Sequence, residues 1–182
     1  FVDLERFRAR RQPGNFYLMV GAFAPYKKTD LAIEAFNRLK LPLYIVGNGQ
    51  DEKKLKAMAK ANIDFIGPVS GSALADLYCK CKALVFPGKE DFGITPLEAM
   101  ACGVPVISSS VGGLPELQLH GQTGFIAEFG DVDRMARYAV DLLSNAAKHK
   151  NFSEAARLRA VEFDSVRIIG QYEQYYERIL AL

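Results

Sequence analysis

The sequence has 182 residues, of which 49% are hydrophobic and 24% are charged, and its formal net charge is +2. This composition excludes a disordered chain or a fibrous repeat, and so small a net charge gives no support for a nucleic-acid or membrane-surface binder. The length suffices for one domain with a substantial core, since a chain of this size buries roughly 70% of its unfolded surface.

Short apolar segments alternate with amphipathic segments along the chain. The sequence predicts strands at 16–22, 43–48, 63–67, 83–87, 105–109 and 124–128, and helices at 29–39, 51–61, 72–81, 95–102, 132–144, 152–163 and 166–180. The strands are near-continuous runs of apolar residues, which is typical of strands buried on both faces. Helices between the strands indicate parallel pairing through right-handed crossovers. We therefore predict an α/β fold with a doubly wound, Rossmann-like parallel sheet of about six strands.

The loops that follow the strands are the expected ligand site, because open α/β sheets bind ligands beyond the carboxyl ends of their strands. These loops read GAFAPYKK, VGNGQ, GPVSGS, PGKEDFGITP and SSVGGLPE. No GxGxxG motif follows the first strand and no GxxxxGK[ST] motif occurs, which argues against a dehydrogenase and a P-loop NTPase.

The loop PGKEDFGITP leads into a helix, because Pro96 is favoured in a first helical turn. The free N–H groups at the helix start form an anion site suited to a diphosphate. We expect the Thr95 hydroxyl to cap this helix, or else to reach a phosphate oxygen. Glu98 is expected in the first turn, as a ribose-binding carboxylate or an ordinary helix-start acid. Glu90 lies in the preceding loop, so its role should differ from that of Glu98.

Two lysines and two glycines in the earlier loops remain open to two interpretations each. Lys27 and Lys28 follow the first strand, and either ammonium could stabilise the same diphosphate or be solvated. Gly47 and Gly49 would permit close approach of a ligand, but ordinary turn geometry explains them equally well.

The three cysteines, Cys79, Cys81 and Cys102, lie in apolar or helical segments, and we expect them to be reduced core residues. No disulfide framework or metal site is expected, because the histidines, His120 and His149, lie far along the chain. His120 is predicted to be a surface residue in a turn.

The run EDFGITPLEAMACGVPVISSSVGGLPELQLHGQTGFIAE resembles the retaining, nucleotide-sugar-dependent glycosyltransferases of family 4. The signature of that family is two glutamates with seven residues between them, which Glu90 and Glu98 match. The resemblance extends to GAFAPYKKTDLAIEAFNRL and LPLYIVGNGQ and covers nearly the whole chain.

The resemblance implies a two-domain GT-B architecture of which this chain is the C-terminal, donor-binding half. Residues 1–14 would be an interdomain segment of the "VDxxRF" type, 15–163 the Rossmann-like donor domain, and 164–182 a helix that packs toward an N-terminal acceptor domain. The sequence begins without a methionine, which suggests a fragment or a processed chain, and we expect this fragment to be inactive alone.

The resemblance also implies the roles of individual residues. Glu90 would contact the hydroxyls of the donor sugar near the reacting carbon, and Lys27 would hold the diphosphate, without a metal or other cofactor. The implied donor-binding residues are Gly21, Lys27, Gly47, Val69, Phe92, Gly93, Ile94, Thr95 and Glu98. The segments PYKKTDLAIEAFNRL and PGKEDFGITPLEA are most similar to mannosyltransferases of polysaccharide assembly. The expected reaction is therefore transfer of a hexose to a glycan or lipid-linked acceptor, with mannose as the hexose and GDP-mannose as the donor.

One position departs from the family pattern. Ala22 stands where the family usually has an arginine on the diphosphate, so donor binding should be weak unless Lys28 or Lys89 compensates. The alternative is therefore a nucleotide-sugar binding module or a degenerate subunit without transfer activity. A nucleotide-sugar epimerase is disfavoured because no histidine lies near the glutamates. Use of cytosolic sugar nucleotides predicts a cytoplasmic protein, with the inner membrane face as a further location for an intact protein.

Overall fold

A six-stranded parallel sheet forms the centre of the chain. The computed structural model describes residues 1–7 and 11–181, so residues 8–10 of the predicted interdomain segment and Leu182 lie outside the described residues. The strands are β1 (Tyr17–Val20), β2 (Leu43–Val46), β3 (Ile63–Gly67), β4 (Leu84–Phe86), β5 (Val106–Ser109) and β6 (Gly124–Ala127). Their order in the sheet is β3-β2-β1-β4-β5-β6. The predicted doubly wound sheet is confirmed, and the strand order reverses between β1 and β4.

Eight α-helices connect or follow the strands within the described part of the chain. They are α1 (Thr29–Leu39), α2 (Glu52–Met58), α3 (Gly71–Lys80), α4 (Ile94–Ala101), α5 (Leu114–Leu117), α6 (Val132–Ser144), α7 (Ala146–Val161) and α8 (Ser165–Leu180). The prediction at 152–163 begins too late, because the Asn145 side chain accepts a hydrogen bond from the Lys148 N–H and caps α7 six residues earlier than expected. Helix α5, a single turn with Pro115 at its second position, was not predicted from the sequence.

The sheet separates two apolar layers, as a doubly wound fold requires. Alternate residues of β1 face opposite layers: Leu18 packs in a cluster with residues of α3, α4 and α7, whereas Tyr17 and Met19 pack with residues of α1 and α6. The Tyr17 hydroxyl donates a 2.6 Å hydrogen bond to the Ala139 carbonyl, which satisfies the polar atom of a fully buried ring.

The expectations for the cysteines and for His120 are confirmed. All three cysteines are buried thiols, and burial raises the pKa of Cys81 to about 12. His120 is exposed beside a turn, where its Nδ1 accepts a hydrogen bond from the Ile126 N–H.

The last helix has an unusual exposure pattern. None of the side chains of α8, all of which the structure describes, is buried, although the helix carries large apolar residues such as Val166 (77% exposed) and Tyr175 (58% exposed). Across the described residues, no helix combines the length and the apolar character that spanning a bilayer demands.

Candidate functional site

The start of α4 lies at the carboxyl edge of the sheet, after β4 and the loop 87–93. Gly93, with φ +93°, occupies the position before the helix, and no side chain of the described residues caps it. The expectation that Thr95 caps the helix is wrong, because Thr95 is its second residue and Gly93 takes the cap position. Glu98 is the fifth residue and therefore lies in the second turn, not the first. The N–H groups of Ile94 and Thr95 lie in the first turn, where an α-helix supplies no intrahelical acceptor.

An ion pair joins the loop before α4 to the loop after β1. A short 3-10 helix, Pro25–Lys27, places Lys27, and its Nζ lies 2.5 Å from Glu90 Oε2. The two side chains are only 14% and 24% exposed. Both line a cavity of about 390 Å³ together with Tyr26, Lys89 and Asp91. Residues that lie 63 positions apart thus form a paired cation and anion at the reversal of the strand order.

Glycines bring these backbones close together. A Cβ on Gly88 would lie 2.5 Å from Lys27 Cα. On the other side of the loop, Gly113 N–H donates a 2.8 Å hydrogen bond to the Glu90 carbonyl, and a Cβ on Gly112 would lie only 2.0 Å from the same oxygen. The sequence predicted no role for Gly88, Gly112 or Gly113, although the loop SSVGGLPE was among the expected ligand-binding loops.

Glu98 sits in a different environment from Glu90. The Tyr78 hydroxyl of α3 donates a 3.1 Å hydrogen bond to Glu98 Oε2. Burial raises the pKa of Glu98, and this hydrogen bond and the charge of Arg6 offset part of the effect. The Tyr78 hydroxyl therefore orients the carboxylate. Burial and the charge of Glu98 raise the pKa of Tyr78, so the hydroxyl stays protonated and remains a donor. The sequence did not predict this role of Tyr78.

Glu98→Gln should stabilise the fold at high pH. The pKa of Glu98 is raised in the folded state above its unfolded value, so the folded state loses stability as the pH rises through these two pKa values. The cost of burying the ionised carboxylate is therefore present at pH 8 and absent at low pH. We expect a higher Tm at pH 8 and no gain at pH 4. The ribose-binding role that the resemblance implies for Glu98 predicts, in addition, about tenfold weaker binding of a sugar nucleotide, since a charged acceptor becomes neutral.

Thermal unfolding at both pH values and calorimetric titration measure these effects. The exposed Glu173 on α8 supplies the control, Glu173→Gln, which should change neither the Tm nor the affinity. A Tm gain for Glu98→Gln that is equal at pH 4 and pH 8 would contradict the assignment of the cost to ionisation.

The remaining predicted residues lie along the carboxyl edge of the sheet. Gly21 N–H donates to the Val46 carbonyl and Gly47 N–H to the Gly67 carbonyl. A Cβ on Gly47, where φ is +132°, would lie 2.0 Å from the Gly21 carbonyl oxygen. Packing between protein loops therefore requires glycine at position 47. Val69 is half-buried after β3 and packs on the core cluster that contains Tyr78.

Three other residues bear on position 22, where the resemblance implies an arginine. Ala22 is exposed and leaves room for a longer side chain. Lys89 lines the cavity that holds Lys27 and Glu90, whereas Lys28 Nζ lies 6.0 Å from the ring centroid of Phe129. Lys89 is thus the better placed of the two lysines to supply a second cation.

Known proteins resemble this chain in sequence and in fold. N-acetyl-alpha-D-glucosaminyl L-malate synthase of Bacillus anthracis is 34% identical over 175 residues, covering 88% of this chain and 45% of that protein. A GDP-mannose-dependent alpha-mannosyltransferase of Mycolicibacterium smegmatis is 32% identical over 162 residues, with coverages of 88% and 42%. The crystal structure of Anabaena Alr3699/HepE in complex with UDP and glucose superposes with a TM-score of 0.86 at 20% identity, covering 100% of this chain and 55% of that chain.

The chain spans about half the length of the curated relatives that it matches. Its sheet and helices match the C-terminal Rossmann-like domain of GT-B glycosyltransferases. The family model described as "Glycosyl transferases group 1" matches residues 3–159, which include the cavity, α4 and the glycine loop after β5. The chain therefore belongs to the glycosyl transferases group 1 family.

Proposed function

We propose that this chain is the donor-binding domain of a retaining glycosyltransferase that transfers a hexose, mannose from GDP-mannose, to a glycan or lipid-linked acceptor. The observation that carries the proposal is the Lys27–Glu90 pair, 2.5 Å apart, which joins the loop after β1 to the loop that leads into the start of α4, where no side chain caps the helix. A cation and free helix N–H groups suit a diphosphate, and a carboxylate beside them suits sugar hydroxyls.

In this proposal the donor lies along the carboxyl edge of the sheet. The diphosphate binds Lys27 and the N–H groups of Phe92, Gly93, Ile94 and Thr95. Loss of the nucleoside diphosphate develops negative charge, which the ammonium and the positive end of the α4 dipole stabilise without a metal.

The nucleoside and the sugar occupy opposite ends of the same site. Glu98 accepts hydrogen bonds from the ribose hydroxyls, and the main chain of Val69 lines the base. Gly21 and Gly47 keep the loops after β1 and β2 free of side chains. Glu90 accepts from the hydroxyls of the hexose near the reacting carbon.

The acceptor half belongs to the intact protein in this proposal. Two facts support it: the chain covers 45% of its B. anthracis relative, and α8 presents exposed apolar side chains such as Ile169 and Tyr176. Those side chains would pack against the N-terminal domain, so we expect the 182-residue chain to bind donor but to transfer no sugar alone.

The choice of GDP-mannose as donor is supported by the M. smegmatis relative, whose name specifies GDP-mannose. Calorimetric titration of the chain with GDP-mannose, UDP-sugars and ADP-sugars tests the proposal. We expect saturable binding that is tightest for GDP-mannose. Tighter binding of a UDP- or ADP-sugar would overturn the mannose assignment, and no binding of any sugar nucleotide would overturn the proposed function.

A nucleotide-sugar binding module without transfer activity is the second candidate, and Ala22 at the position of the family's arginine favours it. Joining this chain to the N-terminal half of the intact protein separates the two candidates. Sugar transfer by the intact protein would support the enzyme, whereas donor binding without transfer would support the binding module.

Ala22→Arg should tighten donor binding. A guanidinium can contact the diphosphate through two parallel hydrogen bonds, and we expect an increase in affinity of about tenfold, in line with a charge-assisted bond. Ala22→Gln, which adds length without charge, is the control and should leave the affinity within about threefold of the parent chain. Equal affinities for Ala22→Arg and the parent would contradict the assignment of position 22 to the diphosphate.

A further inference from the structure

We infer that Glu90 selects the complete sugar nucleotide against the free nucleoside diphosphate, by competing with the diphosphate for Lys27. This inference rests on the proposed function and concerns the same cavity. Its first support is the pairing itself: Lys27 Nζ contacts Glu90 Oε2 at 2.5 Å with both side chains largely buried. The Lys27 ammonium, which binds the diphosphate in the proposed function, is neutralised by the Glu90 carboxylate, which binds the sugar in the same proposal.

The surroundings of Lys27 make the competition direct. Its Nζ lies 5.2 Å from the ring centroid of Tyr26 and 5.5 Å from that of Phe86. The ammonium has three N–H donors and gives one of them to Glu90. A diphosphate that binds Lys27 therefore meets the carboxylate at the same nitrogen, and it gains the full charge of the ammonium only when the carboxylate turns away. A carboxylate that stayed would repel the diphosphate, and at this partial burial the repulsion is only weakly screened.

Close contacts hold the backbone on both sides of the pair, so rotation of the two side chains is enough for the exchange. Gly88 allows its loop to approach Lys27 closely, and the Gly113 N–H holds the Glu90 carbonyl at 2.8 Å. Opening the pair therefore turns the two side chains and leaves the loops in place.

The two ligands differ in what they offer the displaced carboxylate. The hexose of a sugar nucleotide brings hydroxyl donors that satisfy Glu90 after it leaves Lys27. A free nucleoside diphosphate brings only more negative charge, so Glu90 is left unpaired or returns to Lys27. After transfer, the pair re-forms and assists release of the diphosphate product.

Asp91 provides a matched control. It lines the same cavity and is exposed. Asp91→Asn removes the same charge from the cavity and leaves the Lys27–Glu90 pair intact, so it reports the general electrostatic effect alone.

The experiment is calorimetric titration of the parent chain, Glu90→Gln and Asp91→Asn with GDP, UDP and the corresponding sugar nucleotides. We expect Glu90→Gln to tighten nucleoside diphosphate binding by at least about tenfold, the size of a charge-assisted contact. The gain for sugar nucleotides should be smaller or reversed, and Asp91→Asn should change either affinity by less than about threefold.

Several results would overturn the inference. These are unchanged diphosphate affinity in Glu90→Gln, an equal gain in Asp91→Asn, or an equal gain for diphosphate and sugar nucleotide. Glu90→Ser, a smaller side chain without charge, repeats the test if Glu90→Gln has an altered circular dichroism spectrum. If the parent chain binds neither diphosphates nor sugar nucleotides, the proposed function itself is wrong; if it binds both and Glu90→Gln matches it, only the competition is wrong.

Discussion

Lys27→Met should weaken sugar-nucleotide binding about 100-fold, the upper range for loss of a charge-assisted hydrogen bond. Two effects add in the same direction. The diphosphate loses its cation. In addition, Glu90, whose Oε2 lies 2.5 Å from Lys27 Nζ in the parent chain, keeps its charge in a partly buried cavity but loses this partner. In the intact protein the same substitution should lower transfer by a similar factor or more, because the charge on the diphosphate grows as the glycosidic bond breaks.

The neighbouring lysine supplies the control for this prediction. Lys28→Met removes the same charge one residue away, but the Lys28 ammonium faces the ring of Phe129 at 6.0 Å. We expect its effect on affinity to stay below about threefold, the size of an exposed surface charge. Equal losses in the two variants, measured by calorimetry, would mean that the site attracts the donor only through its general positive field.

Gly112→Ala should destabilise the fold by about 3 kcal/mol, lowering the Tm by roughly 6–12 °C for a chain of this size. Position 112 has φ +83°, where a side chain is strained, and the added Cβ would lie 2.0 Å from the Glu90 carbonyl oxygen. That oxygen belongs to the backbone, so no flexible side chain can move to relieve the contact. Glu90 should shift away from Lys27, and donor affinity should fall together with stability.

Gly130→Ala separates the two contributions. Gly130 has a nearly identical φ of +86°, but nothing lies within 4 Å of its added Cβ. This control should cost about 1–2 kcal/mol, which is the backbone strain alone. Thermal or urea unfolding of both variants measures the difference, and a Gly112→Ala variant as stable as Gly130→Ala would rule out the close approach to Glu90.

The periodicity of the sequence predicted the bounds of an element well where the apolar pattern alone sets them. The bounds of α1, β3 and α6 agree with the predictions at both ends, because their apolar patterns stop at clear turn residues. The start of α7 was wrong because its first turns carry few apolar residues and a cap at Asn145 sets the boundary. The Thr95 cap was wrong because Gly93, which adopts a left-handed conformation, ends the loop two residues earlier.

The location of the site was predictable, but its internal contacts were not. The rule that ligands lie beyond the carboxyl ends of parallel strands pointed to the loops of Lys27 and Glu90. Their direct pairing depends on the close backbone approach at Gly88 and on side-chain rotation, which spacing alone does not specify. Likewise, the hydrogen bond from Tyr78 to Glu98 depends on how α3 packs beside α4.

The most direct test of the proposed site is an amide NMR titration of the chain with a nucleoside diphosphate and with GDP-mannose. The proposal predicts that the N–H resonances of Phe92, Gly93, Ile94 and Thr95 shift in a saturable manner, together with those of the Lys27 loop. Exposed α8 amides, such as that of Glu173, should stay unchanged. Saturable shifts confined to another surface, or none at the start of α4, would contradict the assignment of this helix to the diphosphate.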